Sequence, residues 1–176
     1  MRTTYLLKQL ISLILPITVL ILIPRFLERN ITVPSLASLI PALFVMGTGG
    51  TILAITVYTF ITKGSGTLAP WFPTGKLVIT GLYRYVRNPM IIGVLIVLLG
   101  ESLMLLSWKI LLWMILFFLI NQFWFLLFEE PSLEKRFGAE YRDYKKRVPR
   151  WVPNLQPDKP QANRSFKQDV VDGSVG

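Results

Sequence analysis

The sequence predicts an all-α, polytopic membrane protein with about four transmembrane helices and a C-terminal amphipathic helix at the interface. Three observations carry this prediction. Hydrophobic residues make up 52% of the 176 positions and charged ones 16%, and mean hydropathy is +0.51, a balance foreign to most soluble domains. The apolar residues gather into runs close to the roughly 20 residues a helix needs to cross a hydrocarbon core. Turn signals and basic clusters separate those runs.

The first run covers about residues 5–24, with Lys8 near enough to its start to snorkel toward headgroups. A cleaved signal peptide is the competing reading. The run is long and "LIPRFLERN" offers no small-x-small cleavage site, so an uncleaved helix is expected. The second run covers about 36–62, is free of charge throughout, and is closed by Lys63. The third covers about 90–107 and the fourth about 110–128. Trp108 and Lys109 leave only a tight turn between these two, which therefore form an antiparallel hairpin. Pro131–Arg150 then fits an amphipathic surface helix: Leu133, Phe137, Tyr141 and Tyr144 share one face, while Lys135, Arg142 and Lys146 fall opposite. Gly138 weakens that helix locally by about 1 kcal/mol against alanine. Residues 1–155 thus read as one membrane domain, and 156–176, without apolar periodicity, as a disordered tail. No internal repeat is evident.

Basic residues set the expected orientation. The middle segment carries Lys63, Lys76, Arg84 and Arg87 with no acid, and the C-terminal segment carries seven more between Lys135 and Arg150. The opposite side has Arg25, Arg29 and Lys109. Both termini, the middle segment and the C-terminal segment are therefore expected in the cytoplasm.

Composition also excludes function classes. The net charge of +9 does not point to nucleic acid, because the bases flank apolar runs instead of forming a stripe on a soluble fold. The chain has no cysteine and no histidine. Disulfides, thiolate nucleophiles and zinc-thiolate sites are excluded, the commonest neutral-pH base is missing, and no metal site is expected. A small transporter is disfavoured by the lack of a repeat or paired discontinuous helices.

Several polar residues exceed what a membrane span requires. "GLYRYVRNPM", residues 81–90, crowds Tyr83, Arg84, Tyr85, Arg87 and Asn88 against Pro89 at the start of the third run. Proline suits the first turn of a helix and Asn88 suits its N-cap. A helix N-terminus beside arginines is also a ready site for an anionic group, so a plain capped start and an anion site remain open. Glu129 and Glu130 stand side by side at the expected end of the fourth helix, where the macrodipole disfavours acids. Gln122 lies seven residues before Glu129, about two turns, which places them on one face. The acids either bind a ligand, pair with Arg84 or Arg87, or simply mark the interface. Glu101 within the third run is either a hydrated or paired structural group or a functional one. The stripe Phe123, Trp124, Phe125 and Phe128 reads as packing and lipid contact.

"GLYRYVRNPMIIG" followed by "EEPSLEKRFGAEYRDYKKRVPRWVP" resembles the integral membrane methyltransferases grouped as isoprenylcysteine carboxyl methyltransferase and phospholipid methyltransferase. The resemblance covers roughly Gly64 to Pro153. It implies an S-adenosylmethionine site on the cytoplasmic side, formed by Tyr83, Arg87, Asn88, Pro89 and Gly93 with Glu129 and Glu130. Tyr141 and Tyr144 match the tyrosines of a tail that closes over the cofactor, and Arg150 matches its basic end. Arg87, Asn88, Glu129 and Glu130 are the implied catalytic set. The implied reaction is methyl transfer to a lipophilic acceptor, a lipid or a small molecule, within the bilayer. Relatives that methylate prenylated protein carboxyl groups read Arg-His-Pro where this chain reads Arg-Asn-Pro, so the carboxyl methyltransferase is the alternative, and a non-catalytic membrane scaffold is another.

Overall fold

The computed structural model describes residues 14–29, 35–64 and 77–158, and every regular element among them is helical. Helix α1 spans Ile14–Leu27, α2 Leu36–Gly64, α3 Pro89–Leu105, α4 Trp108–Trp124, α5 Glu130–Phe137 and α6 Ala139–Arg147. A 3-10 turn at Gly81–Arg84 leads into α3. A wide π-type turn, Phe125–Glu129, carries α4 into α5 without interruption.

Among the described residues two stretches are long and apolar enough to cross a bilayer, Leu36–Lys63 and Trp108–Phe137; Ile14–Leu27 and Pro89–Leu105 are apolar but shorter. Only 17% and 11% of the most apolar windows in the long stretches are buried, so these are not the core helices of a soluble fold. Large apolar side chains such as Phe26, Leu36, Ile40, Phe44 and Leu127 face outward, as helices in lipid require. Threonine hydroxyls along α2, at Thr48, Thr51, Thr56, Thr59 and Thr62, return hydrogen bonds to the carbonyl one turn earlier, leaving α2 with satisfied polar groups.

The strongest contact is the antiparallel crossing of α2 and α3. Ala42, Gly49 and the buried Thr56 recur every seven residues on α2; Gly49 meets Gly93, and Ala42 meets Gly100, seven residues further along α3. At Gly49 an added Cβ would fall 2.8 Å from the Val97 nitrogen, and at Gly93 it would fall 3.0 Å from the Leu53 nitrogen. Backbones this close admit no side chain, the packing that replaces hydrophobic driving force between helices in lipid. Val19, Val94, Leu98 and Phe117 fill the space shared by α1, α3 and α4.

The hairpin turn differs from the expected one. Leu106 adopts the left-handed conformation (φ 46) that ends α3, and Ser107 caps α4 by accepting from the Ile110 N–H at 3.3 Å. The turn thus lies one or two residues before Trp108–Lys109, which belong to α4. Ser102 and Ser107 lock it, the Ser102 hydroxyl donating to the Ser107 carbonyl at 3.0 Å. The same corner holds the end of α1: the Ser107 hydroxyl donates to Glu28 at 2.6 Å, and Lys109 bridges Glu28 at 3.5 Å. The Ser107 bond, then Lys109, keeps the Glu28 carboxyl below its ordinary range.

Helix α1 is itself widened at Thr18–Leu22, where the Ile23 N–H returns to the Thr18 carbonyl, five residues back. In that register the Val19 carbonyl would be served by residue 24, a proline without an N–H. The Trp113 indole supplies the missing donor at 3.1 Å. Of the expected first span, residues 5–13 lie outside the described residues, and the helix runs on through Pro24 to Leu27.

The antiparallel order places the beginnings of α1 and α3, the ends of α2 and α4, and all of α5 and α6 at one end of the bundle. The expected single helix over Pro131–Arg150 is corrected: it is two helices broken at Gly138, whose φ of +54 suits a residue without a Cβ. The apolar face read from the spacing packs within the protein across this break: Tyr141, Tyr144 and Val148 lie with Leu133 and Phe137 against Leu77 and Ile79.

Gly49→Val is expected to lower stability in detergent by about 1–3 kcal/mol or more through overpacking. Gly50→Ala, with open space around it, should be neutral or gain up to about 1 kcal/mol. Equal melting temperatures for the two variants would refute the close-crossing account.

Candidate active site

At the α5–α6 end of the bundle the helices enclose a cavity of about 370 Å³. Its inner portion is apolar, built from Val19 of α1, Leu53 and Val57 of α2, Val94 of α3 and Phe117 of α4. Its outer portion is polar, with Tyr83, Arg87, Asn88, Glu129, Glu130, Arg136, Tyr141 and Tyr144 in the lining.

The polar wall is organised around one carboxylate. Glu130 is 4% exposed and is shared by three cations: Arg87 at 2.7 Å, Lys145 at 2.8 Å, and Arg150. Arg87 also donates to the Tyr141 hydroxyl at 3.3 Å, while its Nε is buried without a hydrogen-bond partner among the described residues. Arg150 reaches on to the Gln122 amide oxygen at 3.2 Å, which also accepts from the Trp151 indole at 2.7 Å. The wall therefore joins α3, α4, α5, α6 and the segment after α6 through one set of charges.

The tyrosines hold the other side. The buried Tyr144 hydroxyl donates to the Tyr83 carbonyl at 2.7 Å, and the Tyr83 ring lies 6.5 Å from that of Phe60. Burial pushes the hydroxyls of Tyr83 and Tyr144 well above the usual phenol range. Tyr141 is raised by burial and by the Glu130 carboxylate. All three remain protonated at ordinary pH, so each hydroxyl keeps a proton to donate.

Three local expectations are corrected. Asn88 stands at the N-cap position of α3 but makes no side-chain capping bond; the residue belongs to the cavity lining instead. Helix α3 consequently opens its N-terminus on the cavity beside Arg87, an electropositive arrangement suited to an anionic group. Glu129 and Glu130 do not end a helix, because the π-type turn carries α4 into α5. That turn adds a residue to the helical count: the Glu130 N–H returns to the Phe125 carbonyl, five residues back. The face of Gln122 is thereby passed to Glu130, with which it shares Arg150, and Glu129 is turned into the cavity lining near Arg136.

Of the residues singled out in the sequence, Tyr83, Arg87, Asn88, Glu129, Glu130, Tyr141 and Tyr144 converge on the cavity. Pro89 is buried at the first turn of α3 without being part of the lining. Gly93 is one turn further along, at the crossing with α2. Arg84 pairs with neither acid; it donates to the Asp158 carbonyl at 2.5 Å. Asn121 was not anticipated. It lines the cavity among Phe117, Trp124 and Phe125, its amide nitrogen tied to the Phe117 carbonyl at 2.8 Å. An amide deep in an apolar run is the sequence signal that could have found it.

Residues 39–140 match the model of the phospholipid methyltransferase family, a stretch reaching from α2 through most of the polar wall. The chain belongs to that family. It is also similar to methanethiol S-methyltransferase 2 of Bradyrhizobium diazoefficiens, with 38% identity over 77 residues. The shared stretch is 42% of this chain and 27% of that relative, so the chain spans about a quarter of the relative's length. No solved structure matches it. Family membership and the outward-facing apolar helices together identify a membrane protein.

Glu130→Gln is expected to cost about 3–5 kcal/mol, since it leaves buried cations without their counter-charge. Tyr144→Phe strands only the Tyr83 carbonyl and should cost about 1–3 kcal/mol. Thermal denaturation in one detergent compares them, and a larger loss for Tyr144→Phe would overturn the central place given to Glu130.

Proposed function

We propose that this member of the phospholipid methyltransferase family moves a methyl group from S-adenosylmethionine to a lipophilic acceptor, a lipid or a small molecule. One observation carries the reading: a single cavity joins a charged, aromatic wall to an apolar chamber between membrane helices. The lining fits the cofactor's chemistry. The unpartnered Nε of Arg87 and the start of α3 suit a carboxylate, Glu129 suits an ammonium or hydroxyl groups, and Tyr83, Tyr141 and Phe60 offer faces to an adenine ring or a cationic sulfonium. When bound, S-adenosylmethionine supplies an electrophilic methyl group.

The chain's own residues would bind, orient and shield. Proximity and alignment are the main sources of acceleration when the transferred group arrives already activated. The apolar chamber excludes water, and its lining reaches the outside between α1 and α4, where Leu15 and Trp124 belong to it and are 40% and 44% exposed. An apolar acceptor entering there never has to leave a hydrophobic medium. Glu129 stands outside the ion pairs that occupy Glu130. In a chain without histidine or cysteine it is the carboxylate placed to accept a proton from an amine, thiol or hydroxyl acceptor. The S-methyltransferase relative favours a thiol among these, and Asn88 favours a lipid or small molecule over a prenylated protein. The membrane arrangement in this reading has four spans, a C-terminal interfacial segment, and the site end of the bundle in the cytoplasm.

Purified protein given S-adenosylmethionine labelled in its methyl group should transfer label to extracted membrane lipids or small hydrophobic thiols. Label found only on prenylcysteine peptides would reverse the acceptor assignment, and transfer to nothing would remove the activity. Glu129→Ala should weaken S-adenosylhomocysteine binding by about tenfold or more in calorimetry while membrane insertion is retained. A cysteine placed at Ser132 should react with impermeant reagent only from the cytoplasmic face; labelling from outside would contradict the orientation.

A further inference from the structure

We propose that Asp158 is a positioning residue for the cofactor end of the cavity, acting through the chain segment 148–158. The inference rests on the methyltransferase reading above, because the ligand whose site is positioned is S-adenosylmethionine. After α6 the chain turns back and runs beside residues 84–87. The Arg87 N–H donates to the Pro149 carbonyl at 2.9 Å, the Asn154 N–H to the Tyr85 carbonyl at 2.8 Å, and the Asp158 N–H to the Arg84 carbonyl at 3.0 Å. The segment thus holds the backbone from which Arg87 projects, and through Arg150 it brings a cation to Glu130.

None of its residues lines the cavity, so it acts from behind the polar wall. Its near end is anchored by Trp151, whose ring lies 5.1 Å from Phe118 and 6.3 Å from Phe125. Beyond Trp151 apolar anchoring stops: Val152 is 75% exposed and Leu155 94%. The far end is held by charge. Arg147 grips the Asp158 carboxylate at 3.0 and 3.4 Å, Arg84 takes its carbonyl, and the Asp158 side chain is 5% exposed. With the carboxylate neutralised, the charge pair with Arg147 is lost from the far end of the segment, and the Tyr85–Arg87 backbone loses part of its outer support.

The test compares the full-length wild type with Asp158→Asn and Asp158→Glu in detergent. Calorimetry with S-adenosylhomocysteine should show about tenfold weaker binding for Asp158→Asn and recovery of most of it in Asp158→Glu. In methyl transfer the cofactor KM should rise with kcat nearly unchanged, a split that general destabilisation does not produce. Wild-type affinity in Asp158→Asn overturns the proposal, whereas a wild type that binds no S-adenosylhomocysteine removes the methyltransferase reading itself. Should Asp158→Asn fail to fold, hydrogen exchange on the wild type decides. Added S-adenosylhomocysteine should slow exchange at Asn154 and Asp158, and unchanged rates there overturn the proposal.

Discussion

The polar end of this molecule depends on the burial of one carboxylate among three cations. Glu130 is supplied by the start of α5, Arg87 by the approach to α3, Lys145 by α6 and Arg150 by the segment beyond it. Among the described residues no other interaction joins so many parts of the chain at the cavity. A buried ion cluster of this kind contributes little net stability compared with an apolar core, and removing one member is costly because the rest stay charged. Its value here is geometric: each cation is held at a fixed place, and Arg87 is left with a face toward the cavity.

That cluster needs a rigid support, which the α2–α3 crossing provides. Glycines facing glycines bring two backbones into contact, leaving few side-chain torsions to absorb displacement. Gly93, one turn from Pro89, belongs to this support. A short motif such as "RNPMIIG" therefore contains two kinds of residue, those presented to the cavity and those that seat the helix presenting them.

Much of this was legible in the sequence, for stated physical reasons. The charge-free run of α2 and the proline at the head of α3 leave clear marks in composition and spacing. The convergence of Tyr83, Arg87 and Asn88 with Glu129 and Glu130 followed from a resemblance spanning two separated motifs. The spacing of Leu133, Phe137, Tyr141 and Tyr144 grouped residues that do pack together across the break at Gly138, but against Leu77 and Ile79 of the protein, a partner the local pattern does not reveal. What was hidden depends on partners far apart in the chain. The glycines of α2 look alike until α3 is placed against two of the helix's turns, which selects Gly49 and leaves Gly47 and Gly50 in the open. Asp158 falls in a stretch whose composition reads as a tail, yet Arg84 and Arg147 hold it. The cap expected of Asn88 failed because local propensity is blind to a cavity next to the residue.

The two widened turns share a further property: past the end of each, after one intervening residue, stands a proline, Pro24 after Ile23 and Pro131 after Glu130. A turn of this kind inserts one residue without lengthening the helix by a full turn, so everything beyond it is rotated by about 100° relative to an unbroken α-helix. In the α4–α5 stretch this rotation is a phase setting. It sends Glu130 to the arginines and Glu129 to the cavity. Straightening the turn at the same residue count would keep both acids in the sequence and bring Glu129, in place of Glu130, to the face of Gln122, whereas losing one residue as well would restore Glu130 to it. Among chains of this type, the count of residues in that interval therefore carries as much information about the two acids as their identity does.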